Sequence, residues 1–184
     1  GVNHKEKGLI QRIGIATSKD LLVWNKHKNN PVISADEKYY EMLDLNLWHD
    51  HAWRDPFVFE YENIFHAFIT ARVNHGSADG RGVIAHAVSN NLIDWNVLTP
   101  ITTPGEFGQL EVPQLIKKDE KYFLIFSTCA EHYSTERLQR INVEPVSGTH
   151  YYCSKSPLGP FKFSTDNFLV GDKAGTLYSG KMIQ

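Results

Sequence analysis

The sequence predicts an all-β fold made of repeated antiparallel units, and three observations support this prediction. Short apolar runs rich in Phe, Tyr and Ile alternate with polar turns, as strands do. No amphipathic helical stretch of useful length competes with them. A segment composed of a strand, a polar turn and an aromatic residue also recurs along the chain, and such long-period recurrence is typical of radially repeated sheets such as β-propellers.

The recurring segment occurs twice in a close form and once in a looser form. Residues 13–24 and 83–95 each run from an apolar strand through a serine and a polar turn to a tryptophan, with the same interval from serine to tryptophan. Residues 150–161 form the looser copy, in which Ser156 is the serine and Phe161 replaces tryptophan. We interpret these segments as the architecture of the repeat, because repeated units conserve the contacts between neighbours.

Two related hairpins, residues 54–70 and 111–127, lie between these copies. Each opens with a carboxylate close before a proline, Asp55 in the first and Glu111 in the second, and continues as two apolar strands joined by a charged turn. Proline is tolerated on edge strands because it cannot donate a ladder hydrogen bond. The innermost strand of a propeller blade has such an unpaired side, so we place both carboxylates there.

Four other segments are predicted as connections or partial elements. Residues 74–82 read as a flexible loop, and residues 131–148 as a second long loop with one helical turn at 134–139. Residues 37–45 fit either a short helix or a loop. Residues 175–184 resemble the first strand of a further blade.

The chain is expected to form one partial propeller domain over residues 1–184, truncated at both ends. Its strands amount to about three blades of four-stranded antiparallel sheet. The net charge of −2 and the pI near 6.5 give no general attraction to phosphate backbones or anionic lipids, so neither nucleic acid nor membrane is expected as a partner. No apolar run has the length of a membrane span, which predicts a soluble protein without distinguishing cytoplasm from secretion.

The two carboxylates are the candidate catalytic residues. If they meet at one channel, they can cleave a glycosidic bond, since one carboxyl protonates the leaving oxygen while another supports positive charge at the anomeric carbon. Glu111 lies between Leu110 and Val112, and apolar surroundings are expected to raise its pKa. Asp55 follows Arg54, whose charge favours the ionised form if the side chains meet. The structural alternative is an edge-strand acid at each position.

Both hairpin openings resemble the motifs of one group of enzymes. Residues 53–59, Trp-Arg-Asp-Pro-Phe-Val-Phe, look like the Arg-Asp-Pro motif of glycoside hydrolase families 32 and 68, the β-fructosidases, invertases and levansucrases, and of the related family 43, which acts on arabinan and xylan. Residues 108–114 resemble their Glu-x-Pro segment. The resemblance implies a five-bladed β-propeller without a cofactor, in which Asp55 stabilises the transition state by hydrogen bonds to furanose hydroxyls and Glu111 is the general acid/base.

One catalytic residue of these families has no counterpart in the sequence. The resemblance implies a further aspartate, the nucleophile or base, in an earlier blade, and Asp20 belongs instead to the repeated serine turn. We therefore expect the third carboxylate to lie outside this chain, and the chain alone to be inactive. Association with another chain or fragment that completes the propeller would supply it.

Residues near the two acids are candidates for contact with a sugar. Aromatic rings can stack on sugars, and loops beside a rigid scaffold often supply binding groups. The candidates for substrate binding are Arg54, Trp53, Gln109, His132, His150 and Tyr151, with Trp48 as a further stacking ring.

No metal site is predicted. Residues 49–51, His-Asp-His, are adjacent in the sequence, and alternate residues of an extended chain point to opposite faces. They are better explained as a polar loop near the site.

The sequence leaves several functions open. The leading prediction is a glycoside hydrolase acting on fructosides, with arabinan or xylan as the next substrate class. The alternatives are a catalytically inactive propeller that binds carbohydrate and a propeller that serves only as an interaction scaffold, since a fold does not determine function.

Overall fold

The computed structural model describes residues 4–142, 144–162 and 168–182, and most of their regular structure is β-sheet. A short ribbon pairs β1 (Ala16–Thr17) with β2 (Asn25–Lys26). The first four-stranded sheet contains β3 (Arg54–Tyr61), β4 (Ile64–Arg72), β5 (Gly82–Ser89) and β6 (Trp95–Leu98). The second contains β7 (Glu111–Lys118), β8 (Lys121–Thr128), β9 (Ser147–Ser154) and β10 (Phe168–Asp172).

Both four-stranded sheets have the same antiparallel topology. Strands that follow one another in the chain lie side by side, in the order β3-β4-β5-β6 in the first sheet and β7-β8-β9-β10 in the second. This is the arrangement of a propeller blade. The predicted all-β fold of four-stranded antiparallel sheets is therefore confirmed, and the two predicted hairpins are β3-β4 and β7-β8.

The first sheet is packed on both of its faces, which explains why β4 and β5 are apolar almost throughout. One face buries Ala67 and Ile69 against Ile33, Tyr40 and other residues of the N-terminal region. The other face buries Phe68 and a cluster that extends to the second sheet, whose members are Ile84, Phe107, Leu110, Leu124, Phe126, Tyr133 and Tyr152. Strands that are buried on both faces lose the alternation of polar and apolar residues.

The repeated serine turn is a conserved hydrogen-bonded unit. Ser89 ends β5, and its Oγ accepts the backbone N–H groups of Asn91 and Leu92 at 3.1 and 2.9 Å. Leu92 has a φ of 65°, and its carbonyl accepts the indole N–H of Trp95 at 2.9 Å. Equivalent bonds in the first copy join Ser18, Asp20, Leu21 and Trp24. The interpretation of these residues, including Asp20, as structural agrees with these contacts.

The third copy of this turn begins two residues earlier than the sequence comparison indicates. Ser154 ends β9 as Ser89 ends β5, and its Oγ accepts the N–H of Ser156 at 3.1 Å. Ser154, and not Ser156, is therefore the equivalent serine. The glycine and proline residues that follow make the turn before Phe161 longer than in the other copies. The equivalence of Ser154 and Ser89 is therefore not visible in the sequence.

The predicted connections are mostly observed. The helical turn expected at 134–139 is α1 (Thr135–Arg140), whose N-cap Ser134 accepts the N–H of Arg137 at 3.0 Å. Residues 37–45 form a loop without a helix. The strand predicted at 175–184 is wrong for the described residues up to 182, which bond to side chains of the second sheet and to no strand partner. None of the helices in the described segments is long and apolar enough to cross a membrane.

Two buried histidines form a pair on the adjacent strands β4 and β5 of the first sheet. The ring nitrogens His66 Nδ1 and His86 Nε2 are 2.9 Å apart, and the rings stack with centroids separated by 5.2 Å. Phe59 stacks on the other side of His66. Burial, together with the charge of His66, lowers the pKa of His86 to about 4, so the folded protein keeps this ring neutral.

We predict that this pair makes the fold sensitive to acid. At pH values above 6.5 the ring is neutral in both states, but between 6.5 and 4 the unfolded chain binds a proton that the folded chain excludes. The free energy of unfolding should fall by about 3 kcal/mol across this interval because of His86. Urea unfolding from pH 7 to 4 measures the change, and His86→Phe should flatten it. A matched His75→Asn variant, at an exposed site, should retain the steep dependence; equal slopes in both variants would contradict the prediction.

Candidate active site

The site lies where β3 and β7 begin, and each strand has a bulge there. The register of β3 on β4 shifts between Arg54 and Phe57, and the register of β7 on β8 shifts between Glu111 and Gln114. Arg54 and Glu111 therefore occupy equivalent positions in the two hairpins, and Asp55 is offset from Glu111 by one residue. Bulges occur often beside active sites, where they redirect a side chain.

The carboxylate of Asp55 connects the two hairpins. Its Oδ2 accepts the Thr70 hydroxyl at 3.2 Å and the backbone N–H of Val112 at 3.3 Å. Asp55 and Val112 both have positive φ values, 56° and 53°, and a β-branched residue rarely adopts this conformation. The hydrogen bonds from the Val112 N–H to Asp55 and to Thr70 Oγ1, the latter at 3.2 Å, hold this unusual backbone in place.

Arg54 links the acids of the site. Its Nη2 donates to Glu111 Oε1 at 2.6 Å, and its Nη1 donates to Asp50 Oδ2 at 2.8 Å and to Gln11 Oε1 at 3.0 Å. Its Nε lies 3.8 Å from Asp55 Oδ2. The expected pairing of Arg54 with Asp55 is thus a secondary contact, because the guanidinium is oriented mainly by Glu111 and Asp50. A planar guanidinium with five N–H donors can serve several acceptors in this way.

The pKa of Glu111 is lowered, which corrects the expectation that it is raised. Burial does favour the neutral acid, as the flanking apolar residues suggested. Hydrogen bonds from Arg54 and from the hydroxyl of Tyr178, together with the charge of Arg54, outweigh burial and stabilise the anion. In the structure described here Glu111 is therefore a carboxylate at neutral pH.

A cleft of about 430 Å³ opens beside Asp55. It lies between the N-terminal segment, residues 8 and 10–14, and residues 53–56 at the start of β3, so Trp53, Arg54, Asp55 and Pro56 line it. The side chain of Asp55 retains 30% of its accessible surface, so its carboxylate can contact a ligand in the cleft.

Gln109 and Asp50 support the site from behind. Gln109 is 1% exposed, and its Nε2 donates to Asp50 Oδ1 at 3.0 Å. Gln109 therefore reaches the site through Asp50, because burial keeps its own amide away from solvent. The two histidines beside Asp50 point in different directions. His49 is exposed, whereas His51 is buried and accepts the N–H of Gln11. No cluster of three or more metal-ligating His, Cys, Asp or Glu side chains occurs among the described residues.

An aromatic cluster lies next to Glu111. His132 packs on Trp48 at 5.3 Å and on His49 at 5.9 Å between ring centroids. Burial lowers the pKa of His132, which favours the neutral ring. The Trp48 ring is covered on one side by Arg72, 3.8 Å away, and a Cβ at Gly108 would lie 2.4 Å from it. Only glycine at position 108 leaves room for this ring.

Three predicted substrate-binding residues have rings that are not exposed to the cleft. Trp53 is 1% exposed and packs its ring against Tyr40 in the core. His150 is also buried and stacks on Phe126 between the sheets. Tyr151 points to the opposite face of the second sheet. The rings of Trp53 and His150 are enclosed in the core and Tyr151 lines the opposite face of the second sheet, so the expectation that these rings stack on a sugar in the cleft is corrected.

Sequence reasoning missed Gln11, Thr70 and Tyr178, which all contact the acidic residues or Arg54. Thr70 had a detectable signal, because the equivalent position of the second hairpin, Ser127, also carries a hydroxyl. Gln11 and Tyr178 are separated from their partners by 43 and 67 residues, so no local pattern identifies them.

Residues 2–181 match the family described as "Glycosyl hydrolases family 32 N-terminal domain". No curated protein is similar enough in sequence to match the chain.

Solved structures of fructan and sucrose enzymes resemble the fold. A levansucrase from B. megaterium has a TM-score of 0.69 at 13% identity, covering 94% of this chain and 49% of its own. A GH32 β-fructofuranosidase from Bombyx mori has a TM-score of 0.61 at 19% identity, covering 90% of this chain and 32% of its own. An inulosucrase from Halalkalicoccus jeotgali has a TM-score of 0.62 at 17% identity, covering 81% of this chain and 39% of its own. The chain spans less than half the length of these proteins, and its sheets are those of a five-bladed propeller, as predicted.

We predict that Arg54 contributes strongly to stability. Replacing it by methionine leaves the partly buried carboxylates of Asp50 and Glu111 without their cation, which should reduce the free energy of unfolding by about 3 kcal/mol. Denaturant unfolding at pH 7 measures the loss. The matched control is Arg12→Met, which removes a solvent-exposed pair with Glu6 and should change the stability little. Equal losses in the two variants would rule out the bridging role.

Proposed function

The chain belongs to glycosyl hydrolase family 32, and we propose that it forms part of a glycosidase that hydrolyses the O-glycosidic bonds of fructosides. The observation that supports this most directly is the meeting of Asp55 and Glu111 at the start of adjacent sheets, with Arg54 within 4 Å of both carboxylates. Glycosidases place a general acid/base and a nucleophile or base around the scissile bond, and the second of these would lie outside this chain. Residues 1–184 would be one part of the catalytic propeller.

Asp55 is proposed as the stabiliser of the transition state. Its Oδ2 is held by Thr70 and by the backbone of Val112, so the carboxylate is oriented before a substrate binds. Its partly exposed side chain borders the cleft, where hydroxyls of a furanose ring can donate to it. Hydrogen bonds that strengthen as positive charge develops on the sugar lower the barrier to cleavage.

Glu111 is proposed as the general acid/base. As an acid it must bind a proton, whereas Arg54 and Tyr178 favour its anion. A third carboxylate, the nucleophile or base outside this chain, would raise the pKa of Glu111 by like-charge repulsion. A bound sugar would raise it further by excluding water. The protonated acid would then transfer its proton to the leaving oxygen.

The groups proposed to contact the substrate lie around these acids. Arg54 and His132 flank Glu111, and Gln109 orients Asp50 beside them. Among the similar structures, the inulosucrase is bound to kestose and a mutant of the Bombyx mori enzyme is in complex with sucrose. We therefore place short fructosides first and arabinan or xylan oligosaccharides second as substrates.

A carbohydrate-binding propeller without catalysis is the second candidate. The lowered pKa of Glu111 favours it, because a permanent carboxylate with donors on both oxygens can accept sugar hydroxyls but cannot protonate a leaving group. Such a protein would bind fructosides without hydrolysing them.

The test is hydrolysis of sucrose, levan and inulin by the complete protein, compared with arabinan and xylan oligosaccharides. Glu111→Gln should reduce kcat at least about 100-fold because an amide cannot donate the proton. Glu62→Gln, in the exposed turn between β3 and β4, is the matched control and should leave turnover unchanged.

A decrease of only a few-fold in Glu111→Gln would remove this residue from the mechanism. Saturable binding of a fructoside by the wild-type protein without any product would instead support the binding function.

A further inference from the structure

The last described segment of the chain, residues 178–182, lies across the face of the second sheet that points away from the first. We call it the strap. The Ser179 N–H donates to Ser127 Oγ at 3.0 Å, and the Gly180 N–H donates to Thr149 Oγ1 at 3.1 Å. These hydroxyls lie on the neighbouring strands β8 and β9, and they are 3.1 Å from each other. Two strands therefore hold the strap through side chains.

The strap is also fastened to β7. The side chain of Gln114 donates to the Met182 carbonyl at 2.7 Å and accepts the Met182 N–H at 3.0 Å, as a strand partner would. Gly180 approaches so closely that a Cβ on it would lie 2.9 Å from Thr149 Oγ1. These contacts fix the path of the backbone that follows Tyr178, whose ring points toward the site.

Tyr178 donates its hydroxyl to Glu111 Oε2, while Arg54 occupies Oε1. We propose that Tyr178 is a positioning residue for Glu111: the strap delivers its hydroxyl to the one carboxylate oxygen that is able to carry a proton. This inference rests on the proposed role of Glu111 as the acid/base.

The chemistry of the two partners of Glu111 supports this assignment. A guanidinium is only a donor, so a proton on Oε1 would point at another donor. A phenol can both donate and accept, and therefore tolerates Oε2 in either protonation state. The proton of Glu111 is thereby assigned to Oε2.

Apart from Tyr178, other charged or titratable groups of the described residues lie near Glu111, and a Tyr178→Phe substitution alters none of them chemically. Arg54 approaches from β3, and His132 from the loop after β8. The Nζ of Lys181, within the strap, lies 3.5 Å from the carbonyl of Val112. Because these groups keep their positions, loss of the phenol hydroxyl alone should raise the pKa of Glu111, since a donor to the anion is removed.

The experiment is a titration of the Glu111 carboxyl carbon by NMR in the complete protein, with the signal assigned by its absence in Glu111→Gln. Tyr178→Phe should raise the pKa of Glu111 by about 1, the effect of one hydrogen bond to a carboxylate. The matched control is Tyr122→Phe, at a partly exposed tyrosine on β8, which should leave the titration unchanged. The basic limb of the kcat/KM profile should move upward with the pKa of Glu111.

A second variant tests the strap without altering the phenol. Thr149→Val removes the anchor of Gly180 at nearly constant volume, and it should shift the titration in the same direction as Tyr178→Phe. If Tyr178→Phe does not fold, Thr149→Val alone decides the question. An unchanged pKa of Glu111 in a folded variant overturns the proposal. The titration requires no turnover, so failure of the proposed function would be seen separately: nearly full activity in Glu111→Gln would refute the acid/base role of Glu111, and absence of product from the wild-type protein would refute hydrolysis.

Discussion

The ion pairs of Arg54 are the interactions on which the site depends. Its guanidinium forms ion pairs with Glu111 of the second sheet and with Asp50 of the loop before β3. It also lies within 4 Å of the neighbouring Asp55. Without this cation, several acidic groups would be brought together with little compensation for their lost hydration. The cation thus allows carboxylates from the adjacent sheets to lie close together, and with the hydroxyl of Tyr178 it keeps Glu111 an anion in this structure.

The backbone complements this charge arrangement. Pro56 and Pro113 occur where the first strand of each sheet has left its regular ladder, and the bulges free the Val112 N–H to bind Asp55. A regular strand would have directed that N–H along its own sheet. The unusual φ values of Asp55 and Val112 are therefore balanced by contacts between the hairpins, which makes the geometry of the acids a property of two sheets together.

The sequence predicts the fold better than it predicts the site. Alternation, turns and the recurring serine-to-tryptophan segment are local patterns, and they identified both hairpins, the topology and the helical turn α1. The acids Asp55 and Glu111 were found because each precedes a proline. The environment of Glu111 was not predicted, because its flanking residues indicated only burial. Arg54 and Tyr178, which lower its pKa, belong to segments that are distant in the sequence. Trp53 was assigned to the ligand because a sequence does not reveal which face of an irregular strand is buried.

The structural equivalence of Arg54 and Glu111 has a consequence for the origin of the site. Neighbouring units of a perfectly symmetric ring would carry the same residue at this position, so like charges would confront each other across every boundary. Here one sheet has a cation and the next an anion at this position, and the two attract each other across the boundary between the two described sheets. A single pocket between repeated sheets thus depends on residues of opposite charge at equivalent positions, here Arg54 and Glu111. The chain keeps its repeat in the serine turns and departs from it at the candidate site.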